Sequence, residues 1–227
     1  MLYVFDCDGV LVDSEIIASE IDAEHLTRLG FPITAEEVTI RFAGLTAREL
    51  GAIVEVELGH PLPSNFFEEQ YAEVNRRLAA ELEAVPGIHD VLDVLDGPRC
   101  IGSNSSGDRL KLELDKTRLY DLFAPHIYSA VEVGDRQPKP SPNVYLHAIK
   151  QFGVSPRETI IIEDSVFGVR AGKAAGARVV GFTGGRHTWP GHADKLTEAG
   201  AETVIRRFAD LPKVAEAFMA WEGLGDL

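Results

Sequence analysis

Short apolar runs and helical stripes alternate along this chain in an order that outlines its architecture. Leu2-Tyr3-Val4-Phe5 is continuously apolar and too short for a helix, which marks a buried strand. Residues 14 to 84 then read as helices almost throughout. Ile17, Ile21 and Leu29 keep helical spacing, with Gly30 as a stop. Thr34-Ala35-Glu36-Glu37 and Thr46-Ala47-Arg48-Glu49 each have the spacing of a capping box, which marks a helix start. Phe67, Tyr71, Val74, Leu78 and Leu82 step by three or four and predict one apolar helix face.

From Pro86 onward the period changes. Short apolar strands are expected at Arg99 to Gly102, His126 to Ser129, Thr159 to Glu163, Arg178 to Phe182 and Thr203 to Ile205. Ser141-Pro142 is expected to open a helix, with the serine as cap and the proline in the first turn. Strands alternating with helices indicate a parallel sheet covered on both faces, and Leu2 to Phe5 belongs with it. The predicted fold class is therefore α/β: a Rossmann-like, doubly wound parallel sheet with an inserted α-helical cap. Residues 1–13 and 86–227 would form the core and 14–85 the cap. The segments Val12 to Glu15 and Glu83 to Gly87 would connect them.

Composition narrows the function classes. Of 227 residues, 45% are apolar and 26% charged, as in an ordinary globular enzyme. A formal charge of −14 argues against nucleic acid or an anionic membrane as partner. It leaves room for a small phosphorylated metabolite, because lysines and a metal set the field inside a site. No apolar stretch approaches the ~20 residues needed to span a bilayer. The first apolar run is too short for a signal peptide and lacks a basic leader. Cys7 and Cys100 are the two cysteines and make no disulfide framework. Both are expected to pack in the interior. The default expectation is a cytoplasmic monomer, with a homodimer as the other option.

In a parallel sheet, ligands bind at the carboxyl ends of the strands. The first strand ends in Asp6-Cys7-Asp8-Gly9-Val10-Leu11-Val12-Asp13. Two carboxylates so spaced can divide the roles of nucleophile and proton carrier, with a divalent cation offsetting their charge. The second strand runs into Ser103-Asn104-Ser105-Ser106, a hydroxyl followed by amides at an expected helix start, suited to phosphate oxygens. Gln137-Pro138-Lys139-Pro140 follows the third strand and stiffens one cation between prolines. The fourth strand ends in Glu163-Asp164, with Ser165 and Gly168 opening the next helix. Each segment alone has a plain structural reading: an acidic turn, a helix cap, a surface lysine, a helix N-terminus. Their order at successive strand ends is what points to chemistry.

These residues resemble the haloacid dehalogenase superfamily, in particular its phosphatases with a helical cap inserted after the first motif. The resemblance covers essentially the whole chain. It implies Asp6 as nucleophile and Asp8 as general acid/base. It implies Mg2+ on the Asp6 carboxylate, the Asp8 carbonyl and the Asp164 carboxylate, with Glu163 acting from behind or through a metal-bound water. Gly9, Ser103, Asn104 and Lys139 would hold the phosphoryl group. Substrate choice would rest with Ser14 and Glu15 at the hinge and with Arg41, Gly44 and Arg48 in the turn from Arg41 to Arg48. Arg41 or Arg48 could meet a carboxylate or phosphate, or simply be solvated on a helix connection. His187 and His192, in the loop from Gly184, are expected at the surface or rim. Trp189 there could meet a substrate or a second subunit.

The implied activity is Mg2+-dependent hydrolysis of a small sugar, polyol or sugar-acid phosphate through an aspartyl-phosphate. The chain also resembles sugar-phosphate mutases of the β-phosphoglucomutase type. It has Ala18 and Ala43 where those mutases have a cap histidine and a lysine. A 2-haloacid dehalogenase would lack the second acid of the motif, which is present here as Asp8. A catalytically silent binding protein would be expected to have lost Asp6 or Asp8.

Overall fold

The structure is a computed structural model that describes residues 1–42, 45 and 47–222. Its strands are β1 (Leu2–Phe5), β2 (Arg99–Ser103), β3 (Ile127–Ser129), β4 (Thr159–Glu163), β5 (Arg178–Phe182) and β6 (Thr203–Ile205). They form one six-stranded sheet in the order β3-β2-β1-β4-β5-β6, every pair parallel. Each strand lies within one residue of its apolar run. The described helices begin with α1 (Ser14–Arg28), α2 (Ala35–Phe42), α3 (Ala47–Leu58), α4 (Phe66–Glu81) and α5 (Ile88–Val94). They continue with α6 (Gly107–Lys116), α7 (Tyr120–Phe123), α8 (Asn143–Phe152), α9 (Val166–Ala174), α10 (His192–Ala199) and α11 (Leu211–Glu222).

Strand alternation decides how the sheet is covered. Leu2, Val4, Cys100, Ile161 and Val179 pack with Tyr145 of α8, Val169 of α9 and Leu196 of α10. Tyr3, Phe5, Ile101, Ile160, Ile162 and Phe182 face the other way, toward Val91 of α5, Leu110 of α6 and Phe218 of α11. Chain direction across the sheet reverses between β1 and β4, which opens a crevice at their carboxyl ends.

Helices α1 to α4 carry a cluster of their own, including Leu26, Phe31, Val38, Phe42, Val54 and Phe66. The first capping box forms: Thr34 N donates to Glu37 Oε2 at 2.8 Å, and Glu37 N donates to Thr34 Oγ1 at 3.2 Å. The second box, with Thr46, lies outside the described residues. The two connections between cap and sheet pair with each other. Asp13 N donates to Glu83 O at 3.1 Å, Val85 N donates to Leu11 O at 2.9 Å, and Val12 bridges Ala84 antiparallel.

Two local expectations need correction. In α4, Val74, Leu78 and Leu82 are buried, but Phe67 and Tyr71 are 38% and 54% exposed. The helix changes partner along its length. Its C-terminal half meets Ile17 and Ile21 in the cluster that underlies the sheet, whereas Phe66 at its start turns into the cap cluster. Helix α8 begins at Asn143, with Pro142 in the cap position, and Ser141 Oγ accepts from Asn143 N at 3.3 Å. Among the described residues, no helix is long and apolar enough to cross a membrane.

One cap carboxyl makes stability depend on pH. Asp22 of α1 accepts from Gln70 Nε2 of α4 at 2.8 Å, and burial pushes its pKa up to about 6. An unfolded aspartate titrates near ~4, so stability is lost as pH rises from about 4 through 6. Two units correspond to ~3 kcal/mol at most, reduced to about 1–2 kcal/mol by partial exposure. Asp22→Asn should raise urea-unfolding stability by that amount at pH 8 and change it little at pH 4. A loss at pH 8 would show that the ionised form is favoured here.

Candidate active site

Three buried side chains from separate strand ends meet beside β1. Lys139 Nζ lies 2.8 Å from Asp6 Oδ1 and 2.7 Å from Glu163 Oε1, with its ammonium against the Tyr145 ring. Asp6 Oδ1 also accepts from Cys7 N at 2.8 Å. Among the described residues both contacts fall on Oδ1, so Oδ2 is left for an electrophile or cation. Burial, then the Glu163 charge, push the Asp6 carboxyl well above the usual range, and Lys139 opposes them.

Glu163 is saturated. Its Oε1 also accepts from the Tyr145 hydroxyl at 2.7 Å, and its Oε2 accepts from Ser165 N and Oγ, each at 3.0 Å. Ser165 Oγ in turn accepts from Gly168 N and caps α9. A Cβ at Gly168 would run into the Glu163 carboxylate, so this approach needs a glycine.

Asp8 has a different setting. Its Oδ1 accepts from Ser14 Oγ at 2.6 Å, and its Oδ2 accepts from Ser105 Oγ at 2.7 Å and distantly from Ser103 Oγ at 3.5 Å. Arg109 Nη2 of α6 stands 3.9 Å from Oδ1. Burial raises the Asp8 pKa, but the Arg109 charge and the two serine hydroxyls outweigh it and hold the carboxyl below its ordinary value. Asp6 and Asp8 are thus pushed in opposite directions although one residue separates them.

Asp164 completes the acidic group. Single oxygens of Asp6, Glu163 and Asp164 lie within 4.8 Å of one another. Asp164 Oδ1 is buried and has no hydrogen-bond partner among the described residues. An all-oxygen donor set with an orphaned buried carboxylate oxygen fits a hard divalent cation. Gly9 adopts φ +74°, and a Cβ there would collide with Asp164. Its amide donates to Val12 O at 2.9 Å, so Gly9 shapes the turn and leaves no amide for a phosphoryl oxygen.

Ser103 is buried, and its Oγ accepts from Ser105 N at 3.0 Å. Asn104 Oδ1 accepts from Lys139 N at 2.8 Å and ties the lysine loop to β2. The first amide of α6, Gly107 N, donates to Glu132 Oε1 at 2.7 Å, so protein already occupies that helix start. Ser14 and Glu15 stand at the cleft. The surrounding protein, then the Asp8 and Asp164 charges, push the Glu15 carboxyl up to about 7, opposed by His187 and Arg109. Arg41 pairs with Glu57 at 2.6 Å and lies over the Phe31 and Phe42 rings. Arg48 is exposed on α3, and Gly44 lies outside the described residues.

These motifs, in this order and at these strand ends, agree with a sequence match. The family model described as haloacid dehalogenase-like hydrolase covers residues 3–182. The chain belongs to this family. A 6-phosphogluconate phosphatase of Escherichia coli (strain K12) is 34% identical over 194 residues, 85% of this chain and 87% of that protein. A solved haloacid dehalogenase-like protein of unknown function from Agrobacterium tumefaciens str. C58 is 48% identical with a TM-score of 0.93, covering 96% of this chain and 98% of that one. A hydrolase of the same family from Deinococcus radiodurans R1, solved with phosphate and sodium, is 33% identical with a TM-score of 0.83 and 95% coverage of both chains.

This haloacid dehalogenase-like hydrolase also contains site residues that its sequence did not announce. His187 and His192 are not at the rim. They are 7% and 2% exposed, and both converge on Asp164. His187 Nε2 lies 2.8 Å from Asp164 Oδ2, an ion-pair contact whose angle falls short of a hydrogen bond, and His192 Nε2 lies 2.7 Å from Asp164 O. Trp189 stacks on His192 with ring centroids 3.9 Å apart. Asp13 holds the loop by accepting from Arg186 N at 2.9 Å. The available signal was the Gly184-Gly185 pair one residue beyond β5, since Gly185 lets the backbone pass close to His187 and Gly9 O. Arg109 and Glu113 were marked only by their i,i+4 spacing on α6.

Lys139→Met should leave Asp6 and Glu163 as buried carboxylates without their shared cation. The expected cost is about 3–5 kcal/mol of folding stability at neutral pH, with loss of turnover. Denaturant unfolding monitored by circular dichroism checks it. An unchanged midpoint would show that the lysine is not what holds the pair.

Proposed function

We propose that this chain is a Mg2+-dependent phosphatase acting on a small sugar, polyol or sugar-acid phosphate. The observation that carries this reading is the shared edge of β1, β2 and β4. There Asp6 is held by Lys139, Asp8 is held by hydroxyls and Arg109, and Asp164 offers a carboxylate oxygen, unpartnered among the described residues, beside Asp6 and Glu163. The 6-phosphogluconate phosphatase among its relatives supports the substrate class. The proposed division has residues 14–85 as the cap and residues 1–13 with 86–227 as the core. The proposed setting is a cytoplasmic monomer with no nucleic-acid partner.

The geometry supports the roles that the family resemblance implies. The free Asp6 oxygen attacks phosphorus, and the bond from phosphorus to the ester oxygen breaks. Asp8, which takes up a proton when the anionic phosphoryl group binds beside it, gives that proton to the departing alkoxide. Water then attacks the aspartyl-phosphate, Asp8 takes a proton from it, and inorganic phosphate and the Asp6 carboxylate result. Each proton transfer of this kind contributes ~10²- to 10⁴-fold. Ser103 Oγ and the Asn104 amide would hold phosphoryl oxygens, and Lys139 would bridge nucleophile and phosphoryl group. Mg2+ would be held by the carboxylates of Asp6 and Asp164 and the Asp8 carbonyl, with Glu163 behind them. When bound it would neutralise charge between the nucleophile and an anionic ester. Ala18 packs against the apolar cluster beneath the cap, in place of the mutase histidine, which favours hydrolysis over isomerisation.

A panel of sugar, polyol and sugar-acid phosphates tests the reading. Phosphate release is expected with Mg2+ and should fall to background with EDTA or in Asp6→Asn. Steady interconversion of sugar-phosphate isomers without phosphate release would overturn it, and turnover by Asp6→Asn would remove Asp6 as nucleophile.

A further inference from the structure

Asp8 occupies a crowded electrostatic position. The carboxylates of Asp6 and Glu15 are its neighbours, and the Lys139 ammonium is committed to Asp6 and Glu163. Hydroxyls of Ser14 and Ser105 bond Asp8 without supplying charge. Among the described residues, the ion pair made by Asp8 is the one with Arg109.

Arg109 is itself held. Its Nε donates to Glu113 Oε1 at 2.8 Å, one turn further along α6. Glu113 is fully buried, and its other oxygen, Oε2, takes the Cys7 thiol at 3.7 Å. Cys7 is the residue between the two aspartates. The contacts therefore close a ring from Cys7 to Glu113, Arg109, Asp8 and back through one peptide bond. A buried carboxylate with no surface access is an expensive way to orient an arginine. Here it fixes the guanidinium and leaves Nη2 3.9 Å from Asp8 Oδ1, within ion-pair reach and beyond hydrogen-bond distance.

We infer that Arg109, braced by Glu113, is the positioning residue for Asp8, keeping its carboxyl aligned to protonate the leaving oxygen. The inference rests on the phosphatase reading above. A defect in leaving-group protonation has a signature that a packing defect lacks. It harms esters whose alkoxide needs a proton and spares aryl esters whose phenolate leaves unaided.

The comparison uses kcat/KM, which reports steps through release of the first product and not breakdown of the aspartyl-phosphate. With the full-length protein and saturating Mg2+, Arg109→Gln should lose about 10- to 100-fold on the best sugar phosphate of the panel. On p-nitrophenyl phosphate it should lose less than about threefold. Arg109→Lys should lie between wild type and Arg109→Gln on the sugar phosphate. Equal losses on both substrates, or no loss on either, would overturn the inference. If Arg109→Gln does not fold, Glu113→Gln gives the same comparison: unequal losses support the bracing role and equal losses overturn it. Failure of the phosphatase reading would look different, because wild type itself would then cleave neither ester.

Discussion

Lys139 puts one ammonium between two carboxylates in a place water barely reaches. At 2.8 Å from Asp6 and 2.7 Å from Glu163, it gives each acid a partner. Removing three charged groups from water costs more than a single pair would return, so further donors must contribute. They come from Tyr145 of α8, Ser165 at the start of α9, and the Cys7 amide. The consequence is structural as well as chemical. The loop after β3, the end of β4 and the end of β1 are locked to one another through a single nitrogen, and the remaining site groups are placed relative to that point.

Charge in the site is arranged by distance from this nitrogen. Asp6 shares this nitrogen with Glu163 at nearly equal distances. Asp8 is served from the opposite side by a second cation, Arg109, and by hydroxyls, so the two aspartates differ in environment although one residue separates them. Asp164 has neither lysine nor arginine and keeps a buried oxygen unpartnered among the described residues. On the proposed roles, these differences in setting would let chemically identical side chains serve as nucleophile, acid and cation ligand.

The strand assignments, and the residues that the structure brings together at the strand ends, were legible because the relevant signals are local. A short apolar run gives a strand, and the residues just past its carboxyl end give the site. The α4 face was only half legible, since periodicity reveals a stripe but not which partner covers it; hence the exposed Phe67 and Tyr71. Arg109, Glu113 and His187 were illegible for a different reason. The Cys7–Glu113 contact spans 106 residues, and the loop carrying Arg186 and His187 reaches back 173 residues to Asp13. Such pairings depend on how two helix faces and a loop meet above the sheet, which no local pattern encodes.

The paired connections between cap and sheet have a consequence for how such a protein can change. Leu11, Val12 and Asp13 leave the sheet hydrogen-bonded to Glu83, Ala84 and Val85, which return to it. Whatever lies between is a closed loop whose ends are held together at the junction as well as by the contacts of α1 with α4. Loop-closure entropy grows only slowly with length, by ~0.6 kcal/mol per doubling, so this junction tolerates inserts of very different size. The junction acts as a socket: the helices in it can be lengthened, replaced or remodelled for a new substrate while Asp6, Lys139 and Glu163 keep their places.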